Sequence, residues 1–364
     1  MNDTVITFGE LLIRMDSPNH RRFLQTYPGA IETSFAGSEA NVAASVSFLG
    51  GRSRFVSALP RSPLTDAAIA FLESRKIDVG HIVQTGEGRL GIYFVETGAN
   101  QRPSNVIYDR GWSSISLTEP DGYNWDEAFK DGSWFHVSGV TPALSDRAAE
   151  STLRGVEKAK AAGLKVSCDI NFRKKLWDWK AGIGPLELAR QVMPGIIRRI
   201  DVLFGNEEDA ELVLGIKAGK SDVQAGYIDV KAYEDLCRRI AEAYTNLSHI
   251  AFTLRESVSA TYNRWGGILF DVKTGRASFS PRSRGEYKPY EITSIVDRVG
   301  AGDSFAGALI YALNGSEFDT PEKALDFSAA ASCLAHSVRG DFNCATKNEI
   351  LNLVKDGGSG RVVR

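Results

Sequence analysis

Nine residues, Asp297-Arg298-Val299-Gly300-Ala301-Gly302-Asp303-Ser304-Phe305, carry the strongest chemical signal in this chain. Gly300 and Gly302 let the backbone turn tightly and approach a ligand, and Phe305, Leu309 and Leu313 follow at the four-residue spacing of one buried helix face. The turn therefore opens a helix. The first amides of a helix lack intrahelical partners and lie at its positive end, an arrangement that binds phosphate. Asp303 adds a carboxylate there, suited to taking a proton from an attacking hydroxyl while Gly300, Ala301 and Gly302 form an anion hole for a transferring phosphoryl group. A base beside an anion hole is kinase chemistry. The plain alternative is an ordinary helix start, with Asp303 as a cap or a match to the helix dipole.

The elements that must position this turn are readable from alternation. Short β-rich runs and amphipathic segments follow one another: Phe55 to Leu59 then Thr65 to Lys76, Trp134 to Val137 then Ser145 to Ala162, Lys165 to Asp169, Val202 to Phe204 then Asn206 to Leu214, and Ile250 to Leu254. The pattern predicts an α/β fold, a mostly parallel sheet with helices on both faces, whose ligands sit beyond the carboxyl ends of the strands. His136 to Gly139, Asp169 to Arg173, Asn206 to Asp209 and the Asp303 turn all lie at strand ends or helix starts, so they are expected to converge on one edge. Residues 10 to 35 and 89 to 117 break the alternation, reading as strands without helices. They predict a small β-sheet that covers the active edge as a lid. Residues 273 to 296 are polar, with Pro281 and Pro289, and read as a loop or irregular hairpin; Asp356 to Arg361 reads as a disordered tail. One main domain over residues 1 to 364 is expected, with no internal repeat.

Composition narrows the function classes. Hydrophobic residues make up 43% and charged residues 24%, the balance of an ordinary globular protein. A formal net charge of −2 with dispersed basic residues argues against a nucleic-acid partner. There is no leader-like start and no apolar run long enough to cross a bilayer, so neither secretion nor a membrane is expected. The four cysteines, Cys168, Cys237, Cys333 and Cys344, lack metal-ligand spacing and read as buried free thiols in a reducing cytoplasm. No histidine is assigned a role.

Two arginines bear on the substrate. Tyr108 and Arg110 fall on the same face of the alternating run Val106 to Arg110, and Arg173 stands just past a core strand. Arginine forks recognise carboxylates and phosphates, so the pair suits an anionic substrate plus ATP. The alternatives are a surface salt bridge for Arg110 and a helix-capping or Asp169-paired role for Arg173.

Gly300-Ala301-Gly302-Asp303, flanked by Asp297 and Phe305, resembles the C-terminal signature of the PfkB (ribokinase-like) carbohydrate kinases. Ala36-Gly37-Ser38-Glu39-Ala40-Asn41-Val42-Ala43, followed by Leu49-Gly50, resembles their N-terminal signature, about 260 residues upstream. Tyr108-Asp109-Arg110, the Asp169 to Trp177 segment and Gly340-Asp341-Phe342-Asn343 look like the 2-keto-3-deoxygluconate kinase branch. The resemblance implies a ribokinase-like fold with a lid that forms a homodimer or higher oligomer contact, and transfer of the ATP γ-phosphoryl group to the 6-hydroxyl of a keto-deoxy sugar acid. It implies Asp303 as base; Gly37 and Asn41 on sugar hydroxyls; Tyr93 and Tyr108 along the sugar; Arg110 on its carboxylate; and Arg173 bridging sugar and phosphates. It further implies Asn206, Thr253 and Arg255 on the nucleotide, Asp209 acting indirectly at Mg2+, and leaves monovalent-cation dependence open. Kinases for fructose, another neutral sugar or 2-ketogluconate remain alternatives, as does a nonenzymatic sugar- or nucleotide-binding protein on the same fold.

Four departures stand out. Ala36 replaces a glycine, Asp209 stands where Glu is usual, Thr253 to Ser257 contains no glycine, and Trp112-Ser113 follows Arg110 where small residues are expected.

Overall fold

A computed structural model describes residues 3 to 217 and 228 to 357. The tail expected at Asp356 to Arg361 lies outside the described residues from position 358 onward. The chain runs through β1 (Thr4–Phe8), β2 (Leu12–Asp16), β3 (Glu32–Ala36), α1 (Ser38–Phe48), β4 (Ser53–Pro60) and α2 (Pro63–Ser74). Next come β5 (Ile77–Asp78), β6 (Ile82–Thr85), β7 (Gly91–Glu96), β8 (Asn105–Asp109), β9 (Gly132–Ser138), α3 (Asp146–Ala161), β10 (Lys165–Asp169), α4 (Pro185–Ile197), β11 (Val202–Gly205), α5 (Val230–Ala243) and β12 (His249–Ser259). The remainder is β13 (Tyr262–Asp271), β14 (Arg276–Ser280), β15 (Arg282–Ser283), β16 (Glu286–Tyr287), β17 (Tyr290–Ile292), α6 (Ala301–Asn314), α7 (Pro321–Ala335) and α8 (Lys347–Asp356).

The main sheet runs β14-β13-β12-β11-β10-β9-β1-β4-β5, with β6 on β4 and β17 on β13. From β12 to β5 every pair is parallel; β13, β14 and β17 add antiparallel strands at one end. Successive side chains on a strand point to opposite faces, and here each face has its own core. Phe135, Leu203, Ile250 and Phe252 pack with residues of α3, α4 and α5, whereas Trp134, Val202, Phe204 and Ala251 pack with α1, α6, α7 and α8. A strand buried on both faces reads as a continuous apolar run, which is why these were legible.

A second sheet, β3-β2-β7-β8, is the expected small sheet. Its two outer pairs are antiparallel, and its central pair, β2 with β7, is parallel because the strands come from separate excursions of the chain. Its inward face carries Arg14, Tyr93 and Tyr108; Ile13, Phe94 and Ile107 alternate to the other face.

The expectation of a loop or irregular hairpin over residues 273 to 296 is corrected in part: β15 and β16 pair as a short hairpin, but β14 extends the main sheet and β17 pairs with β13. Their polar pattern reflects an edge position, where water replaces one neighbour. Thr253 to Ser257, the stretch without glycine, is part of β12, which pairs with β13 through Ser259. The cysteines are free, yet Cys344 is exposed and Cys333 only half-buried. Among the described residues no helix is long and apolar enough to cross a membrane.

Candidate active site

The carboxyl ends of β10, β11 and β12, the start of α6 and the inward face of the small sheet enclose a cleft of about 820 Å³. Gly300, at φ 83, caps α6 in the left-handed region, and a side chain there would place Cβ 2.4 Å from the Asp341 carbonyl. Helical bonding begins with Ser304 N donating to Gly300 O at 2.8 Å, so the amides of Ala301, Gly302 and Asp303 precede it. Asp303 does not cap its own helix. Instead Ser38 Oγ donates to Asp303 Oδ1 at 2.7 Å and Asn41 Nδ2 to Oδ2 at 2.6 Å. Burial pushes the Asp303 carboxyl up to about 6, and the Asn41 and Ser38 hydrogen bonds restrain the shift.

Ser38 and Asn41 belong to α1, which packs on α6; a Cβ on Gly307 would lie 2.5 Å from Ser45 Cβ, so the two helices touch closely there. Gly37 enters α1 at φ 155, with the Glu10 carbonyl 2.1 Å from where its Cβ would stand. Glu39 on α1 turns inward, accepting from the Ser138 amide at 3.1 Å and from the Ser138 and Thr141 hydroxyls at 2.8 and 2.9 Å; burial pushes it up to about 7.

The small sheet supplies the opposite wall. Tyr93 and Tyr108 have ring centroids 6.4 Å apart, and the Arg110 guanidinium stands 6.0 Å from the Tyr108 ring. Arg110 is buried and its Nε donates to Glu10, with its Nη groups bonded to nothing among the described residues. Tyr93 Oη donates to Asp341 Oδ2 at 2.8 Å.

Beyond β10, burial pushes Asp169 up to about 8, reinforced by the charges of Asp209 and Asp303. Burial also pushes Asp209 up to about 6, against the pull of Arg173. Asp209 Oδ1 accepts from Phe172 N at 3.2 Å, while Arg173 is exposed in the cleft and in no ion pair among the described residues. Asn206 Oδ1 accepts from Asp209 N at 2.9 Å, the cap of a short helix. Arg255 is exposed and Thr253 half-buried on β12.

The cleft gathers every site residue expected from sequence: Gly37, Asn41, Tyr93, Tyr108, Arg110, Arg173, Asn206, Asp209, Thr253, Arg255, Gly300, Ala301, Gly302 and Asp303. Several do other work than expected. The Asn41 amide is on Asp303, leaving its buried Oδ1 without a partner; Tyr93 is on Asp341; Arg110 is on Glu10; Asn206 is a helix cap. His136 to Gly139 does not line the cleft, although Val140 does. Sequence reading missed Glu10, Arg14, Ser38, Arg298, Trp265 and His336. Burial pushes His336, which packs edge-on to Trp265 at 4.7 Å, down to about 4, so it stands neutral in the wall. A charged residue at an inward position of an alternating strand was the available signal for Arg14.

A parallel sheet with a small sheet over its carboxyl edge and a glycine-turned helix start in the cleft defines the ribokinase-like class. The chain belongs to the pfkB family of carbohydrate kinases, whose model matches residues 2–243 and 273–348. It is 40% identical to the crystal structure of a 2-dehydro-3-deoxygluconokinase from Thermotoga maritima, with a TM-score of 0.86 and coverage of 97% of this chain and 99% of that one. It is also similar to a 2-dehydro-3-deoxygalactonokinase of Haloferax volcanii, at 29% identity over 99% of both chains. A 2-dehydro-3-deoxygluconokinase of Thermoproteus tenax is 26% identical over 93% of this chain and 90% of its own.

Proposed function

We propose that the protein transfers the γ-phosphoryl group of ATP to the 6-hydroxyl of 2-keto-3-deoxygluconate. The observation that carries this reading is Asp303 at the start of α6, held by Ser38 and Asn41 in a cleft whose other wall presents tyrosines and an arginine fork. The names of the relatives, kinases of 2-dehydro-3-deoxy sugar acids, support it.

Arg110 meets the sugar carboxylate through its Nη edge, since Nε is on Glu10. Tyr93 and Tyr108 lie along the sugar, and Gly37 lets backbone approach it. Asp303 accepts the hydroxyl proton at a carboxylate oxygen as the oxygen–phosphorus bond forms, and the amides of Ala301 to Asp303 take up charge on the transferring group. Arg173, Arg255 and Thr253 hold the nucleotide side.

Among the described residues no group of three or more His, Cys, Asp or Glu is placed to hold a metal ion. Magnesium keeps waters and binds mainly through nucleotide phosphates with one or two carboxylates. Asp169 and Asp209 fit that part, because each is buried beside other acids and a cation would favour its ionised form. When bound, the ion supplies neutralisation of phosphate charge.

One observation favours a second reading, a neutral sugar such as fructose: Arg110 is already paired with Glu10. ADP release measured with 2-keto-3-deoxygluconate, its galactonate epimer, 2-ketogluconate, fructose and ribose separates the two. Arg110→Ala is expected to raise KM for the keto-acid at least about tenfold, the loss of a charged contact, with little change for a neutral sugar. Turnover confined to a neutral sugar would discard the carboxylate assignment.

A further inference from the structure

A buried arginine on the small sheet is tied to the turn that opens α6. Arg14, on β2, is 1% exposed, and its guanidinium meets carboxylates from three parts of the chain. Nε and Nη2 donate to Asp16 at 2.6 and 2.8 Å, Nη1 donates to Asp341 at 2.5 Å, and Nη2 also donates to Asp297 at 2.5 Å. Asp16 lies on the same strand as Arg14. Asp297 and Asp341 lie on the two loops that enclose Gly300, from opposite sides in sequence.

Asp297 turns this tether into a means of setting the turn. Its Oδ1 accepts from the amides of Arg298 at 2.8 Å and Val299 at 3.1 Å, and its Oδ2 accepts from Gly340 N at 3.2 Å. One carboxylate thus fixes the backbone path immediately before Gly300. Asp341 backs the same glycine through its carbonyl and receives Tyr93 of β7 on its side chain. A planar guanidinium holds several carboxylates at fixed angles, which a lysine ammonium does not. Buried ion clusters are poor devices for stability alone, since apolar residues of similar volume commonly serve as well.

We propose that Arg14 is a positioning residue that sets the anion-hole turn from the lid: it fixes Asp297, Asp297 fixes the backbone of Arg298 and Val299, and the amides of Ala301 to Asp303 are aimed as a result. The inference rests on the reading that these amides hold the transferring phosphoryl group. It ties the seating of the sugar-side wall to the geometry of phosphoryl transfer without Arg14 touching a reacting atom.

The test compares full-length Arg14→Lys, Asp297→Asn and Asp16→Asn, each shown folded by circular dichroism and assayed well below its melting midpoint. Arg14→Lys is expected to lower kcat by about 10- to 100-fold, the scale of a roughly 1 Å misplacement, with KM for the sugar changed by less than about threefold. Asp297→Asn loses at least as much. Asp16→Asn melts earlier but loses far less turnover, because its bond stays within β2. The double variant Arg14→Lys/Asp297→Asn is no worse than the poorer single variant, as expected of residues acting in series. If the lysine variant does not fold, Arg14→Met/Asp16→Asn, which removes one cation and one carboxylate together and so keeps the net charge of the cluster, carries the same expectation. Turnover losses that merely follow stability in all three, with the double variant multiplying the singles, would overturn the proposal. A crippled Asp297→Asn beside a normal Arg14→Lys overturns the role of Arg14 alone, whereas near-normal turnover in Asp297→Asn overturns the positioning proposal and leaves the anion-hole reading, which rests on the amides of Ala301 to Asp303, to stand or fall separately.

Discussion

The two ends of the cleft are built on different plans. At the proposed acceptor end most polar side chains have protein partners, Asp303 with Ser38 and Asn41, Tyr93 with Asp341, Arg14 with three aspartates and Arg110 through Nε with Glu10, while Asn41 Oδ1 and Glu10 Oε1 are buried without one among the described residues. At the nucleotide end Arg173 and Arg255 are exposed, and Asn263 Nδ2, Trp265 Nε1 and Arg298 Nε are buried donors without partners among the described residues. On the proposed reading, the acceptor end is thus largely assembled before any ligand arrives, and the nucleotide end is left for its ligand to complete. Preorganisation lowers the reorganisation needed at the moment of reaction, and it is concentrated where the proton and phosphoryl group move.

The largest expected contrast is in stability. Arg110→Ala leaves the buried Glu10 carboxylate unpaired and is expected to cost about 3–5 kcal/mol, whereas Arg255→Ala, at an exposed position, stays within about 0.5 kcal/mol. Urea unfolding of both variants reads the difference, and equal losses would erase the distinction between the ends.

Next in size is the effect on the base. Asp303→Asn is expected to lower turnover by at least ~10²-fold while sugar and nucleotide binding persist by calorimetry. Near-normal turnover would remove the carboxylate from the reaction.

The smallest effect sharpens the comparison through pH. Asp303 accepts a proton only when ionised, and its folded value of about 6 lies above its usual value of 3.8, so kcat falls as pH drops through about 6. The Ser38 hydrogen bond favours the ionised form, so Ser38→Ala moves that limb to higher pH and costs more turnover at pH 6 than at pH 8. A limb that does not move would mean Ser38 leaves the base untuned.

Local features of this architecture were readable from the sequence, and distant pairings were not. The α6 turn announces itself through glycines and a four-residue apolar period, and the small sheet shows as two strand-rich stretches, although Phe23–Thr26 and Ser114–Leu117 form single helical turns within them. Which side chains answer Asp303 is a matter of α1 lying on α6, about 260 residues apart in sequence. Arg110 was legible as a residue facing the cleft, but Glu10, which occupies its Nε, stands beyond another strand. Likewise β14 reads as a loop because its solvent edge removes the apolar pattern that marks a central strand.

The close crossing at Gly307 has a bearing on how this enzyme can be altered. Any side chain there meets Ser45 and the Val42 carbonyl, 2.5 and 3.1 Å from its Cβ, and so wedges apart the helix carrying Asp303 and the helix carrying its two hydrogen-bond partners. In a selection on randomly mutated genes, this position should tolerate almost nothing although no ligand reaches it. A library seeking a new sugar preference is therefore best kept off this crossing and placed on the opposite wall, at Tyr108, while Arg110, Tyr93 and Arg14, whose buried pairs hold that wall to the rest of the site, are left in place.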